Sequence, residues 1–383
     1  MSGEANLLMV PGPTNVDPTI LRSLSKPTMS HTSASFANIF KATLENLHQI
    51  FQTRGLILPI TGSGTLGAEV ALENIIEPGD QVLVVSCGYF SDRLADIAAT
   101  QGAIVDKIEV EWGSAVNPRD VEKKLSASPY KALLVAHVET STGIVNPVQQ
   151  LGKLVRSKDI LFVVDAVCSL GGMDLQTDAW GVDVCFTGSQ KALALPPGLA
   201  IVSFSPKSMM AREHRKSPMR TYYGDIKHWE PVLQDPTKYF ATHAVNMIYA
   251  LYDSSKMILS EGLSARFARH ARMAAAFRAS LKALRIQLLT NDLWAGDTLT
   301  VALYPERVND DEFRRTVGEK GVVIAGGLGP LKGKVFRVGH MGNVSKGDVL
   351  TTVSAIEAAL AEQRFDFAPK AGIEAVNRIL TEQ

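Results

Sequence analysis

Residues 160–172 read ILFVVDAVCSLGG and residues 182–193 read VDVCFTGSQKAL. Leu161, Phe162, Val163 and Val164 form an unbroken apolar run without helical period, the pattern of a parallel strand covered on both faces. The run ends on a carboxylate, Asp165. The second stretch carries another strand pattern and stops just before Gln190 and Lys191. In open α/β sheets ligands gather beyond the carboxyl ends of the strands, so this acid and this amine are expected to face one crevice.

Taken singly, each residue has a plainer reading. An acid at a strand end commonly caps the next helix, and a loop lysine is commonly a solvated charge. Lys191 is less ordinary, because it stands between the small-residue turn Thr187-Gly188-Ser189 and the apolar, proline-rich stretch from Ala192 to Gly198. An acid and an amine at one site suit pyridoxal phosphate, whose aldehyde condenses with a lysine while a carboxylate keeps its ring nitrogen protonated.

Upstream, residues 1–30 read as an extended arm, since Pro11, Pro13, Pro18 and Pro27 interrupt any regular element. Such an arm can lie across a partner subunit. Phe36, Ile39, Phe40, Leu44, Leu47 and Phe51 then recur at helical spacing behind Ser33 or Ser35 as a cap. Leu56 to Ile60 reads as a strand that runs into Thr61-Gly62-Ser63-Gly64-Thr65 and a helix from about Leu66. A glycine-rich turn feeding a helix start offers free N–H groups and a positive dipole end to an anion such as phosphate. The Ser63 and Thr65 hydroxyls add donors, although the same glycines also serve a tight turn. Further strands over 81–86, 103–110 and 132–138 alternate with helices over 90–102, 117–125 and 148–157, which argues for a parallel sheet of βαβ units. Phe90, just past a strand end, either stacks on a ring in the crevice or plugs the core. Thr140, in the loop Glu139-Thr140-Ser141-Thr142-Gly143, is either a site hydroxyl or turn chemistry. The strand 199–204 follows a turn too short for a parallel return, so it is expected to run antiparallel to its predecessor.

Residues 206–242 read as loops rich in aromatics, among them Tyr222, Trp229 and Tyr239, as suits an entrance or a subunit interface. Two helices follow over 244–284, with a domain change near Gly262. The expected architecture is therefore an arm (1–30), a large α/β domain with a mostly parallel sheet covered by helices (31–262), and a smaller C-terminal α+β domain (263–383) whose final helix spans 345–363. Arg337 sits within a strand on the face opposite Phe336 and Val338. It is either an exposed charge or a bidentate clamp for a carboxylate.

Composition narrows the partners. Lys+Arg and Asp+Glu both number 39, and no basic run is interleaved with aromatics, which argues against nucleic acid and anionic membrane. Cys87, Cys168 and Cys185 are odd in number, lack metal-ligand spacing and lie in or beside apolar strand patterns. They read as buried free thiols of a reducing compartment, with no metal site. The N-terminus has neither a basic leader nor a long apolar region, and no stretch approaches the ~18 apolar residues of a membrane span. A soluble cytoplasmic protein is expected.

Together, Pro11-Gly12-Pro13-Thr14-Asn15, Ser63-Gly64-Thr65, the Glu139–Gly143 loop, Asp165-Ala166-Val167, Gly188-Ser189-Gln190-Lys191, Gly326-Gly327-Leu328-Gly329-Pro330 and Arg337 resemble the class-V, fold-type-I pyridoxal-phosphate aminotransferases, most closely the alanine–glyoxylate and serine–pyruvate branch. The likeness covers nearly the whole chain. It implies a covalent link between Lys191 and the cofactor aldehyde, Asp165 on the ring nitrogen with Val167 beside it, and Ser63, Gly64, Thr65 and Gln190 around the phosphate. It implies further that Tyr239 and Thr242 reach the phosphate of a neighbouring subunit, hence a homodimer, and that Arg337 and the backbone of Gly12 bind substrate. The implied substrates are small amino acids, alanine or serine, and small 2-oxo acids, glyoxylate or pyruvate. Phe90 stands where a tryptophan is common and Thr140 where a serine is common, which leaves substrate preference open.

Three rivals are weighed. A cysteine desulfurase or related lyase is expected to present a reactive cysteine from a late loop, and no cysteine follows Cys185. A nicotinamide-linked dehydrogenase fits the literal G-x-G-x-x-G of residues 62–67, but Ser86 and Cys87 stand where its ribose-binding acid belongs. A catalytically silent binding protein of the same fold has no use for both Lys191 and Asp165.

Overall fold

The computed structural model describes residues 6–381. In chain order its strands are β1 (Leu7–Leu8), β2 (Leu56–Gly62), β3 (Gln81–Ser86), β4 (Ile104–Glu109), β5 (Ala132–Ala136), β6 (Leu161–Asp165), β7 (Val184–Gly188), β8 (Gly198–Phe204), β9 (Leu299–Leu303), β10 (Val322–Val323), β11 (Ala325–Gly326) and β12 (Val335–Gly339). Seven of them form the central sheet in the order β2-β8-β7-β6-β5-β3-β4. β8 alone is antiparallel to its neighbours, β7 and β2. The turn before it, from Pro196 to Gly198, leaves no length for a crossover. The remaining pairings are parallel, as the alternating pattern requires.

β6 occupies the middle of this sheet, and its apolar run supplies both faces. Phe162 and Val164 pack with Leu151, Val155 and the helix Ala34–Phe51, whereas Leu161 and Val163 pack with Leu72, Val84 and Leu94 on the opposite side. Two-sided burial of this kind removes the need for polar alternation. The parallel arrangement also brings the carboxyl ends of β2, β3, β5, β6 and β7 and the start of β8 to one rim. Every loop that carries a candidate residue between 63 and 191 leaves the sheet there.

A smaller antiparallel sheet, β11-β12-β9, lies with helices Asp310–Glu319 and Lys346–Glu362 in the C-terminal part. β1 pairs in parallel with β10, and Met9 is fully buried against Phe277 and Phe336. Gly339 N–H donates to the Met9 carbonyl at 2.8 Å. The start of the chain is thus anchored on the small sheet before it reaches the rim.

Three expectations fail. Pro18 opens a helix, Pro18–Leu24, because it stands at the first helical position, where no N–H is needed, behind Asp17, which caps the Thr19 N–H at 2.7 Å. Residues 206–242 contain the helices Pro206–Glu213 and Ile226–Gln234, capped by Ser205 and Asp225. Proline again starts the first of these, and Trp229 is completely buried rather than lining an entrance. The last helix is Ala371–Thr381, packed on the helix Leu263–Ala283, not the one ending near Gln363. Among the described residues no helix is long and apolar enough to cross a membrane. The three cysteines are buried and unpaired, as expected.

Candidate active site

A cavity of about 220 Å³ opens at the rim. Of the thirteen candidate residues, ten line it: Gly12, Ser63, Gly64, Thr65, Phe90, Thr140, Asp165, Val167, Gln190 and Lys191. Asp165 and Lys191, far apart in sequence, meet at one crevice.

Lys191 is held in place from three sides. Ser189, just before it, accepts the Leu199 N–H and donates to the Pro196 carbonyl at 2.7 Å, pinning the turn between β7 and β8. Arg266, fully buried, donates to the Ala192 and Gly171 carbonyls. The chain start crosses over the lysine: Thr14 donates from its N–H to the Gln190 carbonyl and from its hydroxyl to the Lys191 carbonyl, and the Lys191 amine donates to the Pro11 carbonyl. Gly12 lies so close that a side-chain carbon there would stand 2.6 Å from Lys191 Cδ. Burial lowers the pKa of the amine, Arg337 works in the same direction, and Cys168, Asp165 and Glu139 oppose it. The shift favours the unprotonated amine, the form that acts as nucleophile and base.

Asp165 ends β6, is half-buried and lines the cavity. Burial pushes its carboxyl up to about 7, against the Val167 N–H, which donates to Oδ1 at 2.8 Å; the nearby Glu139 charge adds to the rise. Such a carboxylate gains from any cation placed beside it.

The third wall is the start of the helix Gly64–Ile75. Ser63 makes no side-chain cap bond, so the first N–H groups of this helix are left uncapped by any side chain. The Gln190 side-chain oxygen is buried without a hydrogen-bond partner. A side chain at Gly188 would fill the gap between that amide, at 2.8 Å, and the Gly64 nitrogen, at 3.3 Å. The uncapped N–H groups of this helix start make an anion seat; Gln190 can serve it only through its amide NH2, because the unpaired oxygen accepts and cannot donate.

Three candidates stand outside the cavity lining. Arg337 is buried, not a surface charge, because it donates to the Gly326 carbonyl at 2.8 Å and to the Thr140 carbonyl at 3.2 Å, which brings it to the edge of the site. Tyr239 is 68 % exposed and Thr242 is exposed as well; neither reaches the cavity of its own chain.

Two residues escaped the sequence reading. Arg93 lines the cavity one turn beyond Phe90, a spacing that a helix-period search from Phe90 would have found. Glu139 is fully buried and accepts from the N–H groups of Phe90, Ser91 and Ser141 and from the Ser141 hydroxyl. It caps the helix Tyr89–Thr100 from another loop, a pairing with no local signal.

The Aminotransferase class-V family profile matches residues 19–333. A Synechococcus protein named soluble hydrogenase, small subunit, is 37% identical over 381 residues, covering 98% of both chains. The serine–glyoxylate aminotransferase of Arabidopsis thaliana is 32% identical over 383 residues, covering 97% of this chain and 94% of that one. The crystal structure of ureidoglycine–glyoxylate aminotransferase from Bacillus subtilis superposes with a TM-score of 0.97 at 32% identity, over 100% of each chain. The profile covers most of the chain and the fold agrees with it over the full length, so this chain belongs to the class-V aminotransferase family.

Proposed function

We propose that the protein is a pyridoxal-phosphate-dependent transaminase that moves the amino group of a small amino acid, alanine or serine, to a small 2-oxo acid, glyoxylate or pyruvate, in a ping-pong reaction. The observation that carries the reading is that Lys191, Asp165 and an uncapped helix start open into one cavity. The residues present fit the cofactor: the uncapped start of the helix Gly64–Ile75 and the space that a side chain at Gly188 would fill suit a phosphate, and the Phe90 ring lies on the same wall. Glyoxylate as acceptor is supported by the names of two relatives with different donors.

When bound, the cofactor supplies an aldehyde carbon for the amine and a protonated ring that draws electrons from the substrate Cα. Asp165 would hold the ring nitrogen, where a positive charge beside it would favour the ionised carboxylate. Lys191 would hold the cofactor aldehyde, and its amine, whose pKa burial lowers, would serve as the base that takes the substrate α-proton on Nζ and returns it. Arg337, fixed by two carbonyls, turns its remaining N–H groups to the substrate carboxylate and so sets which Cα bond faces the lysine. Thr140 and the Gly12 backbone close the substrate side.

The exposed Tyr239 and Thr242 belong, in this reading, to the site of a second copy, which makes the working unit a homodimer. A donor-by-acceptor screen on the purified protein tests the proposal. Turnover of alanine or serine with glyoxylate or pyruvate, with parallel lines in double-reciprocal plots, is expected. Absence of 2-oxo acid product for every pair with cofactor-saturated protein would leave a silent binding protein instead.

A further inference from the structure

We infer that Arg93 is the cation that takes the phosphate of the bound cofactor; the inference rests on the function proposed above. Arg93 follows Phe90 by one turn in the helix Tyr89–Thr100, so both side chains overhang the same cavity. Its guanidinium lies 4.9 Å from the centre of the Phe90 ring and 5.3 Å from that of Tyr89. Two aromatic contacts hold the planar group in one place. From there its Nη1 donates to the Thr65 hydroxyl at 3.4 Å. Thr65 is in the first turn of the helix Gly64–Ile75, beside the anion seat.

Charge is the reason for assigning it this ligand. A phosphate monoester carries about −1.5 to −2 at neutral pH, whereas a helix start contributes only about +0.5. Gln190, Ser63 and Thr65 donate hydrogen bonds without charge. Arg93 is half-buried and no described carboxylate forms a salt bridge with it; the adjacent acid, Asp92, is engaged by Lys107 at 2.9 Å. A cation without a salt-bridge partner among the described residues therefore stands next to a seat whose other donors leave most of the anion's charge unbalanced. Its fork of N–H groups also matches phosphate oxygens in pairs.

The test separates phosphate from ring. Cofactor-free wild type, Arg93→Gln and Arg93→Lys are titrated with pyridoxal phosphate and with pyridoxal, which lacks the phosphate, and binding is followed by absorbance and intrinsic fluorescence. The expected result is a Kd for pyridoxal phosphate at least about tenfold higher in Arg93→Gln, from the loss of charge-assisted hydrogen bonds. The Kd for pyridoxal should stay within about twofold of wild type, and Arg93→Lys should fall between the two. Equal losses for both aldehydes would mean that Arg93 only supports the Phe90 ring, and unchanged binding of both would mean that it touches neither; each overturns the assignment. An Arg93→Gln enzyme that binds pyridoxal phosphate normally but has a raised KM for the amino donor would assign the residue to substrate, also against the inference. Wild type that responds to neither aldehyde would sink the parent reading too, and is told apart by the flat titration.

Discussion

Replacing Gly12 by alanine tests whether the chain start positions the lysine. Gly12 has φ +88°, and an added Cβ would stand 2.6 Å from Lys191 Cδ, 2.9 Å from Cε and 3.1 Å from the Gln190 carbonyl oxygen. The first two separations are too short for any pair of carbons. The backbone oxygen has little room to retreat, whereas the lysine stem is flexible, so the stem yields and carries its amine off the Pro11 carbonyl. The left-handed backbone by itself costs alanine roughly 1–2 kcal/mol. A displacement of about 1 Å in a reacting group can cost about a hundredfold in rate. Gly12→Ala should therefore lose about 2 kcal/mol of stability but around two orders of magnitude in kcat. Gly79→Ala is the control, because its φ is +90° and an added Cβ meets nothing within 4 Å. It should show the backbone cost without the catalytic loss. Urea unfolding and steady-state transamination on both variants decide the matter. Equal kcat values for the two would refute a role for Gly12 in placing the lysine.

Asp165→Asn should divide stability from function. The native carboxyl is raised to about 7 from an ordinary 3.8, so between those values the folded state holds a proton that the unfolded state has released, and this residue's contribution falls as pH rises. The cofactor-free variant should match wild type near pH 4, be the more stable of the two above pH 7, and be nearly inactive; a stability difference that does not change with pH would contradict the assigned burial. Arg337→Ala should raise KM for amino acids by about tenfold to a hundredfold, from the loss of a charged pair. An unchanged KM, in this variant and in Arg337→Lys, would remove Arg337 from substrate binding.

Much of the fold was legible because the deciding elements are defined by their own residues. The apolar run of β6 and the short proline turn before β8 require no knowledge of distant partners. Proline at a helix start accounts for one error: Pro18, read as a breaker, follows the capping Asp17, and in the stretch read as aromatic loops Pro206 likewise follows the capping Ser205, a pairing that is a readable signal. The helix Ala371–Thr381 carried a readable signal, since its buried residues Gly372, Ala375, Val376 and Leu380 recur at helical spacing. In the site, the strand-end residues followed from their positions along the chain. Glu139 did not, since its function as a cap for the Tyr89–Thr100 helix arises only once two strand-end loops are side by side. The same holds for the Pro11 carbonyl over the lysine and for the two carbonyls that bury Arg337. Contacts between loops of neighbouring strands are set by sheet order, which no local pattern encodes.

The most direct measurement is chemical. The purified protein is incubated with pyridoxal phosphate, reduced with borohydride, digested, and the modified peptide is identified by mass. One modification per chain on Lys191, absent from Lys191→Ala and prevented by excess amino donor added before reduction, is the expected result. Modification of another lysine with Lys191 untouched would contradict the account.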